Sequence, residues 1–419
     1  MIHDAIGVGF GPSNIAVAIA MEEGGYDGKA VFIEKSDSAR WQDEMLLDGS
    51  DIQNNPIRDL ITPVNPRSRY GFINYLFVTG QLLKYLNVGM HYPLRKLYAK
   101  YIEWVGSQFE NVRYGEAVCD IRLRDVDGEL LWEVRTSRHA TFLGRNLVFA
   151  TGRNLNIPPS LAGSGRIRHL TSYHSATKDL PEGASVAVLG SSQSAVELLL
   201  DLHGKGCNEI HAVHRSFSFR LKDTSQFSDE VYFPEFIDYY HALSSEKRAQ
   251  LDRQVRQTNY SAADGDVIAS LYAKCYEDEL DGKRRVRIHR NTEIVGHEDH
   301  DGSLTLHLQD IYTRQTSSVT VDLLLLATGF LDVGRDGKAG LPELLQDFSE
   351  IVEWDGSYLN VLRDYRVKYV EERYPPLYMN GLCESSHGLG DAGSFSLLSY
   401  RARDIATSLK LNQSATINA

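Results

Sequence analysis

Short apolar runs recur along this chain, and each ends in a glycine-rich turn or a charged residue. Ala5 to Val8 and Ala30 to Ile33 are two such runs, with a helical apolar pattern from Ile15 to Met21 between them. Ser185 to Leu189 and Glu209 to Val213 repeat the arrangement around a helical pattern from Ala195 to Leu202. Runs without polar alternation suit parallel strands covered on both faces. Two strand–helix–strand units are therefore expected. Two further runs, from Asn146 and from Asp322, both end in Ala-Thr-Gly, at Gly152 and Gly329. They predict buried strands that stop where the chain crosses between domains. Residues 223–283 interrupt the second unit with aromatic and polar helical sequence, which predicts a small helical subdomain. The polar stretch after Lys410 is expected to be loose.

The turns carry the first chemical signal. After the first run come Gly7, Gly9 and Gly11, then Pro12, Ser13 and Asn14. Glycines let a backbone approach a pyrophosphate, and the helix N-terminus that follows offers it unpaired N–H groups. Pro12 stands where a third glycine is usual. Glu34 ends the second run, placed to accept hydrogen bonds from a ribose. The second turn holds Gly190, Ser192, Gln193 and Ser194, with Ser192 replacing the usual middle glycine. Its following run ends on His214 and Arg215, with Arg220 close behind. An acid suits a free 2′-hydroxyl and an arginine suits a 2′-phosphate. FAD is therefore expected at the first unit and NADPH at the second, with Arg215 and Arg220 as the phosphate ligands. Thr328 and Gly329, closing the last run, are counted with the cofactor sites. The expected fold is α/β, two Rossmann-like dinucleotide-binding domains with a small helical substrate subdomain. The FAD domain takes 1–170 and 325–419, the NADPH domain 171–324.

Bulk properties narrow the possibilities. The chain has 419 residues, enough for two or three domains, and a net charge of −12. An acidic balance argues against general nucleic-acid binding. No run of eighteen apolar residues suggests a membrane span, and the N-terminus lacks a basic region and a cleavable apolar stretch. Cys119, Cys207, Cys275 and Cys383 lie far apart with no CxxC, so neither a redox dithiol nor a metal site is expected. A cytoplasmic location with reduced thiols follows as the expectation.

Several segments together resemble the flavin-dependent N-hydroxylating monooxygenases that act on L-ornithine or L-lysine in siderophore biosynthesis. They are GVGFGPSN (7–14), WQDEMLL (41–47), IQNNPIRDL (52–60), NPRSRYGFINYL (65–76), GSSQSA (190–195), QTNYSAADGDVI (257–268), LLLLATGF (323–330), and HGLGD with LLSYRARDI near the C-terminus. They fall in family order across nearly the whole chain, and NPRSRYGFINYL looks closer to the ornithine branch. The resemblance implies that NADPH reduces FAD, O2 gives a C4a-hydroperoxyflavin, and a neutral primary amine takes the distal oxygen to become a hydroxylamine. With a reference pKa near 10.4, only about one amine in a few hundred is neutral at pH 8, so the site must favour that form.

By matching motifs, Trp41, Met45 and Gln53 look like flavin-site residues, with Gln53 near the reactive centre. Asp391 and Leu398 match the C-terminal part of the cofactor site. Arg58, Asp229, Asn259 and Ser399 match substrate-binding positions, and Gln53 and Asn259 are the residues expected nearest the chemistry. L-Ornithine is the leading substrate. L-Lysine, a diamine or another amino-bearing metabolite is the alternative, and ketone or sulfide oxidation a weaker one. A third possibility is a non-catalytic dinucleotide-binding protein. The resemblance also suggests a homotetramer. Departures cluster near the expected pocket. Arg58 replaces a lysine and Asp229 an asparagine. Gln42, Glu44, Asn54 and Asn55 also differ, and the 391–397 turn is longer by about four residues.

Overall fold

The computed structural model describes residues 1–335 and 340–417, built around two largely parallel sheets. In the first sheet Ile2–Val8 lies between Ala30–Ile33 and Thr141–Phe149, parallel to both. Val112–Arg113 extends it on the Ala30 side. On the other side the neighbour of Thr141–Phe149 changes along its length. Thr141 to Gly144 pair antiparallel with Glu129–Thr136, and Leu147 to Phe149 pair parallel with Leu377–Met379. Trp132 Nε1 donates to Pro376 O at 3.0 Å and pins the fork. The C-terminal part of the chain thus completes the sheet begun by the N-terminal part.

The Pro12–Glu23 helix is buried on every side from Asn14 to Met21, because it lies against both this sheet and the last helix. That last helix, Leu398–Ile417, runs through most of the stretch expected to be loose. Its buried positions, Leu398, Ala402, Ile405, Ala406 and Leu409, form one apolar stripe, which holds it in place. Residues 418–419 lie outside the described residues.

The second sheet has the order Val286–His289, Glu209–Val213, Ser185–Leu189, Leu323–Leu326, Ile167–His169, all parallel. An antiparallel three-stranded ribbon, Thr292–His300, Ser303–Asp310 and Thr316–Val321, packs Leu304, Leu306 and Leu308 into its core. The chain crosses out after Phe149 and returns after Leu326. Phe330–Leu331 pairs antiparallel with Asn154–Leu155, tying the two crossings together.

Each glycine turn abuts one Ala-Thr-Gly crossing. A Cβ on Gly9 would lie 2.6 Å from Ala150 O, and a Cβ on Gly190 would lie 2.6 Å from Ala327 O. The repeated signals are therefore two copies of one arrangement. The stretch expected as a single helical subdomain is shared between halves. Gly265–Leu280 packs on the second sheet through Leu271. Pro234–His241 and Ser245–Val255 lie on the C-terminal segment, where His241 Nε2 donates to Val361 O at 2.9 Å and Arg248 Nη1 to Ser385 O at 3.4 Å. Among the described residues no helix is long and apolar enough to cross a membrane.

Candidate functional site

The first turn is shaped by what its glycines exclude. Gly9 lies at φ +82°, and Gly7 is closed by the Phe32 ring, 2.1 Å from any Cβ. Gly11 instead faces open space and begins the Pro12–Glu23 helix with no side-chain cap. The first N–H groups of the helix are thus left for a ligand. Pro12 at the first helical position removes a donor that would be unpaired in any case. Asn14 is fully buried beneath the turn, donating to Gly9 O at 2.7 Å and accepting from Asn380 Nδ2 at 2.9 Å. Glu34 accepts from Phe10 N–H at 2.7 Å and Ser36 N–H at 2.8 Å. Each carboxylate oxygen keeps a lone pair for a ribose hydroxyl.

The last helix adds Arg401, which the sequence reading passed over. It is 1% exposed. Its guanidinium donates to Asn380 Oδ1 at 2.8 Å, to Asp391 Oδ1 at 3.1 Å and to Ser13 Oγ at 3.3 Å, and also to the Asp391 main-chain oxygen. Asp391 Oδ1 also accepts from the Tyr365 hydroxyl at 3.1 Å, whereas its buried Oδ2 has no partner. Burial pushes the Asp391 carboxyl up, against the pull of Arg401. Gln53 Nε2 and Ser399 Oγ are likewise buried without partners. Buried polar groups are nearly always satisfied. Three orphans at positions flagged from sequence fit a polar group that docks there, and a flavin's hydroxyl-bearing chain and amide-like ring edge have that chemistry. Trp41 meets Phe395 edge-on at 5.2 Å and Tyr98 at 6.3 Å. Leu398 is buried at the start of its helix. Met45 packs with Leu47, Leu170 and Tyr173 in the core of the second half, so its side chain joins the halves.

The second turn differs in detail. Gly190 lies at φ +148°, and Ser192 begins the Gln193–Gly204 helix without a side-chain cap, with Ser194 inside its first turn. Gln193 is committed to the fold: Nε2 donates to Glu197 Oε1 at 3.0 Å and Oε1 accepts from Asp264 N–H at 2.8 Å. Arg215 and Arg220 are exposed beyond the Glu209–Val213 strand and form no ion pair among the described residues. Exposed, unpaired guanidinium groups there fit a 2′-phosphate. His214 beside them is buried, donates to Ser216 O at 2.7 Å, and burial pushes its pKa down. Thr328 and Gly329 spend their groups on the crossing. The Thr328 hydroxyl donates to Asn156 O, and Gly329 O accepts from Asn156 N–H at 3.0 Å and His169 Nε2 at 3.0 Å.

Charged and polar side chains of the two halves meet around Gln53. Gln53 sits at φ +50°, its N–H on Asp51 Oδ1 at 2.9 Å. Its Oε1 faces Lys222 Nζ of the second half at 3.5 Å. The Arg58 guanidinium lies over the Tyr232 ring, 5.9 Å from its centroid. Asp229 is on the same short Ser228–Tyr232 turn. Burial pushes its carboxyl up, while Arg58 and Lys222 pull it down. Arg58 and Asp229 form no direct ion pair among the described residues. Asn259 follows the Arg256–Thr258 turn. Its neighbour Tyr260 donates to Glu384 Oε2 at 2.6 Å and accepts from Arg153 at 2.9 Å, and Arg153 pairs with Glu384 at 2.8 Å. This cluster, also unmarked in the sequence, anchors the Asn259 loop to the C-terminal segment. Among the described residues no group of three His, Cys, Asp or Glu side chains suits a metal ion.

Two glycine turns, each opening a helix against a largely parallel sheet, define a two-dinucleotide architecture suited to a flavoprotein oxidoreductase. The family model for L-lysine 6-monooxygenase/L-ornithine 5-monooxygenase matches residues 1–332, and the chain belongs to that family of N-hydroxylating monooxygenases. The L-ornithine N(5)-monooxygenase of Pseudomonas aeruginosa is 33% identical, covering 98% of this chain and 94% of its own. The ornithine N-hydroxylase of Kutzneria sp. 744, in a structure described as holding reduced FAD, NADP+ and L-ornithine, superposes with a TM-score of 0.91 at 29% identity, covering 99% of this chain and 100% of that one. The L-lysine 6-monooxygenase of Pseudomonas syringae superposes with a TM-score of 0.83 at 32% identity, covering 98% and 99%.

Proposed function

We propose that this enzyme hydroxylates the side-chain amine of L-ornithine, using FAD at the first turn, NADPH at the second, and O2. Held by the first turn, Glu34 and Arg401, FAD would supply hydride acceptance from NADPH and transfer of one oxygen atom of O2 to the amine. The observation that carries the substrate reading is Arg58, a guanidinium held over Tyr232 with no carboxylate partner among the described residues. Such a group binds an α-carboxylate bidentately. Asp229 then holds the α-ammonium, which relieves the cost of its burial. Asn259 offers its amide to the same substrate. Trp41, Tyr98 and Phe395 form an aromatic wall that excludes water. Placing the amine in that dry site favours its neutral form, which has the lone pair the reaction needs.

A diamine is the second reading. Burial pushes up the carboxyls of Asp51, Asp229 and Asp264 alike, and a second ammonium would offset all three. On this reading the expected divisions at 170/171 and 324/325 shift so that Ile167–His169 and Leu323–Leu326, which pair in the second sheet, belong to the NADPH half. Self-association belongs to the same reading, supported by exposed Phe77, Val78, Leu83 and Leu86 on two adjoining helices. So does a reducing, cytoplasmic setting, supported by four free cysteines and the NADPH requirement. The test is mass-spectrometric detection of hydroxylamine from L-ornithine, L-lysine and cadaverine, with NADPH and FAD. Product from L-ornithine above the others is expected. Product from the diamine alone would replace the first reading with the second.

A further inference from the structure

The two halves are joined by a circuit of hydrogen bonds and short chain links between the Gln53 loop and the second glycine turn. Arg95 begins the Arg95–Gly106 helix of the first half. Its guanidinium donates to Met45 O at 3.1 Å and Asp51 O at 3.2 Å, fixing the loop that carries Gln53. The same guanidinium reaches across to Glu197 Oε2 of the second half at 3.3 Å. The Arg95 and Glu197 side chains are only 11% and 6% exposed. The other Glu197 oxygen accepts from Gln193 at 3.0 Å, and Gln193 Oε1 holds Asp264 N–H at 2.8 Å. Beside Asp264, Ala263 O accepts from Lys222 N–H at 2.9 Å, and Lys222 Nζ reaches back to Gln53 Oε1 at 3.5 Å. Asp51 Oδ1 closes the circuit on Gln53 N–H at 2.9 Å.

A buried ion pair is costly in itself, so its retention calls for a role beyond stability. This one links the second dinucleotide turn, through Gln193, to the Asp51–Gln53 loop of the first half. We propose that Arg95 and Glu197 are positioning residues that set the second glycine turn against the Gln53 loop, so that the nicotinamide cofactor is held in register with the reactive centre. The proposal rests on NADPH occupying the second turn. Without the pair, Gln193 loses its Glu197 partner and the Asp51–Gln53 loop loses its tether. The cofactor then binds less tightly, and reduced enzyme releases peroxide in place of hydroxylamine.

The test compares the FAD-loaded enzyme with Arg95→Met, Glu197→Met and the double variant. NADP+ is titrated through its perturbation of flavin absorbance, and hydroxylamine formed per NADPH is measured alongside thermal stability. Each single variant is expected to weaken NADP+ about tenfold and to at least halve the hydroxylamine ratio. The double variant replaces the pair with apolar side chains and keeps its stability. It is expected to stay as weak as the singles, because Gln193 and Asp51 remain untethered. Recovery of parental NADP+ affinity and ratio in the double variant would overturn the proposal, leaving an unpaired buried charge as the whole effect. So would single variants that lose stability but bind NADP+ as the parent does. A parent that binds NADP+ yet hydroxylates no amine would refute the proposed function, while the NADP+ titration would still decide this one.

Discussion

Arg58 and Asp229 are the residues on which the substrate question turns. They lie near one another without pairing, so each is available to a zwitterionic ligand. Arg58→Ala is expected to raise the amine KM about tenfold or more while NADPH reduces the flavin within about twofold of the parent rate. Steady-state and stopped-flow kinetics check this. Equal loss in both would remove Arg58 from the carboxylate role. Asp229→Asn should weaken a diamine more than L-ornithine, because only the diamine has nothing but cations to offer. The sequence marked both residues as departures, and the structure shows that several departures are linked. Asn54 Nδ2 donates to Arg58 O at 2.7 Å, and Asn54 Oδ1 accepts from Ser396 Oγ in the longer 391–397 turn at 3.1 Å. Glu44 reaches Ser175 N–H of the second half at 2.8 Å. Asn54, Arg58 and the longer turn thus form one bonded group. The Asn54–Ser396 and Glu44–Ser175 bonds were not legible in the chain, since those partners lie 342 and 131 positions apart.

At the scale of elements, the glycine turns and buried runs were legible because their physics is local. A glycine at positive φ abutting a carbonyl, and a strand covered on both faces, leave marks within ten residues. Gly190→Ala should therefore act on one cofactor only. Its Cβ would meet Ala327 O at 2.6 Å, at a φ of +148°. The variant is expected to retain FAD, read from its absorbance, and to lose about tenfold or more in NADPH affinity. Loss of FAD with NADPH binding intact would reverse the assignment of the two turns. What stayed hidden was charge buried by distant contact. Arg401 appears in the sequence as one of several charges in a helical stretch. Its meaning comes from Ser13, Asn380 and Asp391, which the fold brings to it. Its only local sign is a cation on the apolar stripe of Leu398, Ala402 and Ile405. Met45 and Gln193 show the converse. Both lie in cofactor motifs, yet the Met45 side chain packs into the core of the second half and the Gln193 side chain bonds Glu197 and Asp264 within that half.

The whole molecule is two dinucleotide units, with the C-terminal segment closing the first sheet and carrying Asp391, Ser399 and Arg401 back to it. On the proposed reading a reductant at the second turn and a flavin at the first serve one amine. Its central claim is that oxygen from O2 ends on the amine. The most direct measurement is turnover of L-ornithine with NADPH under 18O2, with mass spectrometry of the product. The account predicts a hydroxylamine carrying one 18O atom, about one per NADPH consumed. Full conversion of NADPH to peroxide, with unlabelled amine recovered across the amine panel, would contradict it.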